Sequence, residues 1–109
     1  MPHYMLQGNY TTDAIKAMSA KPEDRSVPAG KLAKSLGGKL HSYFMCFGKY
    51  DFVAIMEFPD DEAAAASSMT VAAAGHVSHM VTTKLFTPVE ISKAMAKAGS
   101  SKIEVPKGK

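Results

Sequence analysis

Four stretches of the chain carry the apolar patterning of β-strands, and helix-like segments separate them. The strand-like stretches are residues 3–10, 39–47, 52–58 and 77–86. Apolar residues at helical spacing follow the first strand, precede the second, and return after the third and fourth strands. This β-α-β-β-α-β order with an extra C-terminal helix predicts an α+β, ferredoxin-like fold. Its four-stranded antiparallel sheet would carry both main helices on one face.

Residues that cap or stop helices support these boundaries. Thr11–Asp13 offers N-cap side chains to the first helix, and Pro22 ends it because proline disfavours helical geometry in the residue before it. Gly37–Gly38 and Gly75 end the next two helices, since glycine accepts the left-handed backbone conformation of a C-cap. Thr87–Pro88 opens the C-terminal helix.

Both faces of the central hairpin are apolar. In its first strand, the alternating sets are His41, Tyr43, Met45, Phe47 and Leu40, Ser42, Phe44, Cys46. In its second strand, they are Phe52, Ala54, Met56, Phe58 and Val53, Ile55, Glu57. The main helices cover only one face, and an exposed apolar second face would be an association site. We therefore expect a homodimer or a higher symmetric oligomer. The alternative is that the C-terminal helix folds over the second face.

Length and charge fit one domain, residues 1–98, followed by a flexible basic tail, residues 99–109. Up to Thr87, eight Lys and Arg residues balance eight Asp and Glu residues. From Pro88 onward, five Lys outweigh Glu90 and Glu104, which accounts for the net charge of +3. No basic cluster with interleaved aromatic residues is present, so we expect no nucleic-acid partner.

Cysteine and hydropathy patterns favour a cytoplasmic protein. Cys46 is the only cysteine, so no internal disulfide is possible, and no N-terminal signal peptide is recognisable. No apolar stretch approaches the ~20 residues that a membrane-spanning helix needs, so we expect no membrane partner. Cys46 lies among apolar strand residues, which predicts a buried and inert thiol.

Several short stretches resemble one protein family in their order and spacing. They are Gly37–Leu40, Gly48–Asp51 and Glu57–Asp60, with further similar stretches at residues 7–11, 22–25 and 82–87. Together they resemble the GYD-domain family over the chain up to about Ala98. The resemblance implies a bacterial protein of uncharacterised activity, related in fold to the dimeric α/β-barrel proteins. Phe58 departs from the family pattern, which often has a small residue there, and this indicates a difference in packing.

Glu57 and His41 are the candidate catalytic residues. Glu57 ends an apolar strand, where burial could raise its pKa and make it a general base. The alternative is that Glu57 reaches water or a backbone amide at the strand end. If the hairpin loop is Gly48–Asp51, then Ser42 pairs with Glu57 and His41 lies on the opposite face. A one-residue slip in register reverses that assignment.

His76 and His79 raise the question of a metal site, but their pattern argues against one. A spacing of three places them on opposite faces of a strand, and no second cysteine or carboxylate cluster accompanies them. We place His76 in a loop and expect His79 to be partly buried. Phosphate-binding loops, dinucleotide fingerprints and catalytic triads are absent from the sequence, so no metal or cofactor is predicted.

Polar side chains that interrupt the apolar strands or flank their turns are the candidate ligand-binding residues. They are Gln7, Tyr43, Tyr50, Glu57 and His79. Asp51 is expected to bond the backbone amides of a turn, and Tyr50 either shares that role or presents its hydroxyl at a cleft. Arg25 either binds an anionic ligand or pairs with Asp24 or Glu23.

Three functions remain open, and we rank them in the following order. The first is a small-molecule-binding or regulatory homo-oligomer, with a small apolar ligand held between stacked sheets or under the C-terminal helix. The second is a cofactor-free enzyme, similar to a monooxygenase or an isomerase, in which Glu57 or His41 titrates. The third is a structural subunit of a larger assembly, which predicts a chain without a cavity.

Overall fold

A computed structural model describes residues 1–108 of the chain. Its elements are β1 (His3–Tyr10), α1 (Thr12–Ala20), α2 (Ser26–Ser35), β2 (Lys39–Met45), β3 (Phe52–Glu57), α3 (Asp61–Ala73), β4 (Val77–Leu85) and α4 (Pro88–Gly99). The strands form one sheet in the order β2-β3-β1-β4, with every neighbouring pair antiparallel. The predicted α+β, ferredoxin-like arrangement is therefore confirmed.

Side-chain caps fix the starts of three helices. Thr11 accepts a hydrogen bond from the first turn of α1, and Asp60 does the same for α3. Thr87 and Glu90 form a reciprocal capping box at the start of α4. Gly75 ends α3 with a φ of 79°, a conformation that glycine adopts without a Cβ clash. None of the helices within residues 1–108 combines the length and apolar character needed to cross a membrane.

Helices α1, α2 and α3 pack on one side of the sheet, which we call the covered face. The sheet contributes large side chains and each helix contributes alanine, which lets the helices approach closely. The buried residues are Tyr4, Leu6, Tyr10, Ala14, Ala33, Phe52, Ala54, Met56, Phe58 and Ala64. Full burial of a large apolar side chain contributes roughly 1.5–3 kcal/mol, so this face supplies the core of the domain.

The other side of the sheet, which we call the open face, is not covered by any of the four helices within residues 1–108. It carries His3, Met5, Gln7 and Asn9 from β1, Ser42 and Phe44 from β2, Val53, Ile55 and Glu57 from β3, and Val81, Thr83 and Leu85 from β4. Phe44 and Val81 are exposed, and α4 has no buried residue. The alternative in which the C-terminal helix covers this face is therefore wrong.

A β-bulge at His41 sets the register of the hairpin. Leu40 pairs with Met56 and Ser42 pairs with Ile55, so His41 is an extra residue in β2. The expected pairing of Ser42 with Glu57 is wrong, because Lys39 occupies that position. Strand β2 also ends at Met45, earlier than predicted.

Apolar residues at and beyond the end of β2 are exposed. Met45, Cys46 and Phe47 are all exposed. The prediction of a buried Cys46 thiol is therefore wrong. The backbone N–H of Cys46 still bonds the carbonyl of Asp51 at 2.9 Å, which closes the loop between the strands.

A second bulge lies at His79 in the opposite edge strand. Gln7 pairs with Val81 and Asn9 pairs with Ser78, so β4 contains one residue more than β1 in this interval. His79 has a φ of 51° and is exposed, so its predicted partial burial is wrong. The extra residue turns Met80 toward the core.

Candidate functional site

An apolar pocket lies between the covered face and the helices α2 and α3. Its volume is about 240 Å³, just below the ~300–1,000 Å³ of sites for drug-sized ligands. We call it the helix-side pocket. Its walls are Leu6, Tyr10, Arg25, Pro28, Ala29, Leu32, Tyr43, Phe52, Ala54, Met56, Thr70, Val71, Ala74, His76, Val77 and Met80. A small ligand would meet mainly hydrocarbon and aromatic surface there.

A pair of tyrosines supplies hydroxyl groups to the helix-side pocket. The hydroxyls of Tyr10 and Tyr43 hydrogen-bond to each other, and the ring of Tyr43 stacks on Phe52 with centroids 5.6 Å apart. Burial, together with the hydrogen bond to Tyr10, raises the pKa of Tyr43. Tyr43 therefore acts at neutral pH as a hydrogen-bonding hydroxyl rather than as a base.

Arg25 supplies a cation to the same pocket. One guanidinium nitrogen, Nη1, lies 2.6 Å from Glu23 Oε1, which confirms that Arg25 pairs with a neighbouring acid. Its Nε is buried and has no hydrogen-bond partner within the described residues. A buried donor without a partner costs about 1–3 kcal/mol, so a ligand acceptor at Nε would be favourable. The second predicted role of Arg25, anion binding, thus remains compatible with the geometry.

The hairpin loop positions Tyr10. The Asp51 carboxylate accepts a hydrogen bond from the Tyr10 backbone N–H at 2.9 Å, and the Asp51 N–H donates to the Gly8 carbonyl at 2.8 Å. Asp51 therefore bonds a backbone amide, as expected, although the amide belongs to β1 rather than to its own turn.

The candidate ligand-binding residues are divided among three places. Tyr43 lines the helix-side pocket. Tyr50 and His79 lie together in a separate shallow depression between the hairpin loop and the bulge of β4. Gln7 and Glu57 lie on the open face. His76 is in the loop after α3, as predicted, and it lines the helix-side pocket.

On the open face, the bulge brings His41 into contact with Glu57. His41 Nε2 lies 2.6 Å from Glu57 Oε2, and His3 Nε2 lies 3.8 Å from Glu57 Oε1. Lys39 Nζ stands 3.9 Å from Glu57 Oε2. The inference that His41 lies on the opposite face from Glu57 is wrong, because the extra residue breaks the alternation of β2.

The environment of Glu57 opposes the predicted general base. The hydrogen bond from His41 outweighs desolvation and, with the nearby charges of His3 and Lys39, lowers the pKa of Glu57. The expectation of a raised pKa is therefore wrong. A carboxylate held ionised beside two imidazoles acts as an acceptor, an orienting group or a ligand.

Three residues of these sites were not identified from the sequence. Tyr10 is the last residue of β1, and its side chain lies on the covered face. Because Tyr10 and Leu6 are an even number of residues apart, the period-two alternation of β1 could have placed Tyr10 on that face. His3 pairs directly with Glu57 across β1 and β3, but long-range strand pairing has no local sequence signal. The sequence pattern identifies Lys39 only as the start of a strand.

Comparison with known proteins agrees with the resemblance to the GYD-domain family that the short sequence stretches show. The family model described as the GYD domain matches residues 4–95, which include both the helix-side pocket and most of the open face. A search of curated proteins finds no match. Because the matched region is far more than half of the chain, the chain belongs to the GYD-domain family.

Proposed function

We propose that this GYD-domain protein is a homo-oligomeric small-molecule-binding module. The ligand is a small apolar molecule that carries one anionic or hydrogen-bond-accepting group, and it occupies the helix-side pocket. The observation that carries the proposal is the buried Nε of Arg25, which has no hydrogen-bond partner within residues 1–108, in the wall of a mainly apolar cavity.

The pocket combines the two requirements of such a ligand. Phe52, Met56 and Leu6 form apolar walls, which favour a hydrocarbon or aromatic body. The guanidinium of Arg25 and the hydroxyl pair of Tyr10 and Tyr43 offer donors to a carboxylate or a similar acceptor. We therefore propose that the ligand binds under α2 and α3 rather than between stacked sheets. The third hypothesis, a purely structural subunit, predicts a chain without a cavity, so the pocket counts against it.

A thermal-shift screen tests the proposal. The probes are short-chain and aryl-substituted carboxylic acids, each beside its primary alcohol of equal length. A carboxylate at 100 times its Kd stabilises the folded state by about 2.7 kcal/mol, and we expect each acid to raise the Tm more than its alcohol. No shift with any acid or alcohol would contradict the proposal.

Variants locate the binding. Arg25→Met should abolish the difference between acid and alcohol, whereas Lys34→Met, an exposed cation in the last turn of α2, should preserve it. Ala29→Leu places extra methyl groups into the pocket and should weaken both series. Acid binding that survives Arg25→Met and Ala29→Leu would place the ligand elsewhere.

The oligomeric part of the proposal rests on unsatisfied apolar surface. Phe44 is 64% exposed on the open face, and Met95 is 66% exposed on α4. The Cα radius of gyration is 18.0 Å, compared with about 13 Å for a compact chain of this length. Both features fit a second copy of the chain that packs against the open face and α4.

Light scattering after gel filtration measures this association. We expect a mass of at least twice the 11.6 kDa of one chain. Phe44→Glu should shift the protein toward the single-chain mass, while Phe47→Glu, at an exposed residue of the hairpin loop, should not. A wild-type protein of single-chain mass would contradict the oligomer and leave the pocket test intact.

A further inference from the structure

The open face carries a group of side chains that the helix-side pocket does not use. His3, His41 and Glu57 each offer one ligand atom, and these atoms all lie within 4.8 Å of one another. The three residues come from three adjacent strands, β1, β2 and β3. The sheet therefore holds their backbones in place before any ligand arrives.

The backbone register explains why these side chains meet. His3 is the direct cross-strand partner of Glu57, and side chains of paired residues lie on the same face about 4.5–5.5 Å apart at Cβ. The bulge at His41 adds the third group from the other side of Glu57. The two imidazole rings are 5.0 Å apart between centroids, so both rings lie beside the same carboxylate.

We propose that His3, His41 and Glu57 form a binding site for a divalent first-row transition-metal ion, with Zn²⁺ as the first choice. Two imidazole nitrogens and one carboxylate oxygen are ligands that Zn²⁺ binds at about 2.0–2.2 Å. Such a three-ligand set leaves coordination positions open on the solvent side.

The polar atoms of the cluster are incompletely satisfied without an ion. His3 Nδ1 is buried and has no hydrogen-bond partner within residues 1–108, and His3 Nε2 is 3.8 Å from the nearest carboxylate oxygen, too far for a hydrogen bond. In the single chain, the side chains of His3, His41 and Glu57 are 30%, 37% and 15% exposed, so an ion from solvent can reach them before a second copy packs on this face.

One neighbouring charge opposes cation binding. Lys39 Nζ lies 3.9 Å from Glu57 Oε2, and its side chain is 64% exposed. The ammonium group can swing into solvent when an ion binds, but its positive charge still weakens the site. Replacing it with an uncharged side chain of similar length should therefore strengthen metal binding.

Calorimetric titration of the untagged protein with Zn²⁺ alone tests the site, and Co²⁺ absorption reports the ligand geometry. We expect one ion per chain and visible Co²⁺ bands of a four- or five-coordinate site. His3→Asn, His41→Asn and Glu57→Gln should each weaken binding by about tenfold or more. Glu62→Gln, which removes an exposed carboxylate outside the cluster, should leave the affinity unchanged.

Lys39→Met distinguishes a lost site from a damaged fold, because it should tighten Zn²⁺ binding by up to about tenfold at low salt. The proposal is overturned if Zn²⁺ does not bind up to about millimolar concentration. It is also overturned if binding survives all three cluster substitutions, or if Lys39→Met does not tighten it. The cluster and the helix-side pocket lie on opposite faces of the sheet, so either site can fail without the other.

Discussion

The covered face of the sheet buries Leu6, Ala54 and Phe58 almost completely, whereas the open face leaves Phe44 and Val81 in solvent. Both faces are built from the same strands and are comparably apolar in sequence. The difference comes from the three helices, which the chain can place on only one side. The covered face thus supplies the stability of the single chain, and the open face is available for a partner and for ions.

Central and edge strands differ in a second way. The central pair β1 and β3 keeps continuous register from His3 to Gly8, while each edge strand contains one bulge. Each bulge changes which side chains reach which face. At His41 the result is the contact with Glu57, and at His79 it is the turn of Met80 toward the core. Breaks in the regular alternation therefore decide which polar groups meet on the open face.

The largest contrast between the faces is expected for phenylalanine truncation. Phe58→Ala removes a fully buried ring and should lower the free energy of unfolding by about 3–5 kcal/mol. Phe44→Ala on the open face should change it by less than about 0.5 kcal/mol at protein concentrations where the chain is monomeric.

Urea denaturation followed by circular dichroism measures both values. If Phe58→Ala does not fold, Phe58→Leu gives a smaller loss in the same direction. Equal losses for the two alanine variants would mean that the faces are not distinguished by burial.

Much of this contrast could be predicted from the sequence. Period-two alternation in β1 and β3 correctly separates Leu6, Ala54 and Met56 from their open-face neighbours, because unbroken strands follow simple parity. Helix caps such as Thr11 and Asp60 also have local signals. The order of elements then leads to the correct fold class.

The hairpin register could not be predicted in the same way. In β2, Leu40 and Tyr43 both lie on the side of the pocket and core, and their spacing of three requires an inserted residue. Period-two counting takes no account of a bulge, so it places His41 away from Glu57. The Arg25 site depends on a contact between a loop and the sheet, and the His3 contact depends on long-range pairing. Neither contact leaves a local pattern.

A smaller loss of stability is expected for substitution of Gly38, which lies against the backbone of Glu57. A Cβ added at Gly38 would clash with the carbonyl oxygen of Glu57, so the backbones approach too closely there for any side chain. Gly38→Ala should therefore destabilise the fold by about 1–3 kcal/mol. It should also weaken Zn²⁺ binding if the proposed site exists. Urea denaturation and calorimetric titration measure the two effects.

Gly99→Ala is the control for that substitution. A Cβ at Gly99 meets no atom within 4 Å, and alanine is favoured over glycine in a helix. Its free energy of unfolding should stay level or rise slightly. If Gly38→Ala is as stable as Gly99→Ala, the close approach of Gly38 to Glu57 is not required.

The stability of the fold should also depend on the backbone conformation that residue 79 adopts at the bulge in β4. His79 has a φ of 51°, which a β-branched residue adopts only at a cost of about 1–2 kcal/mol. His79→Val should lose that amount in urea denaturation, whereas His79→Gly at the same position should not. Equal stability of the two variants would contradict a left-handed backbone at the bulge.

The smallest change in stability is expected for substitution of Asp61 at the rim of the covered face. This carboxylate is exposed but contacts both Tyr4 and Lys84. Tyr4 donates a hydrogen bond to Asp61 Oδ1 at 2.5 Å, and Lys84 Nζ lies 2.9 Å from the same oxygen. Burial raises the pKa of Tyr4 to about 12, so its hydroxyl remains a donor at neutral pH. These contacts, the Tyr4 bond first, lower the pKa of Asp61 below its ordinary value of 3.8.

Because the folded-state pKa of Asp61 is depressed, its stabilising contribution is complete above the unfolded-state pKa and is lost as the pH falls through the folded-state value. Asp61→Asn should therefore be less stable than wild type at neutral pH, and the two stability curves, measured by urea denaturation at each pH, should converge in acid. In a Tyr4→Phe background, which removes the main cause of the shift, the effect of Asp61→Asn on stability should shrink. Stability profiles of wild type and Asp61→Asn that stay parallel from neutral pH into acid would show that the Tyr4 contact does not stabilise the folded carboxylate.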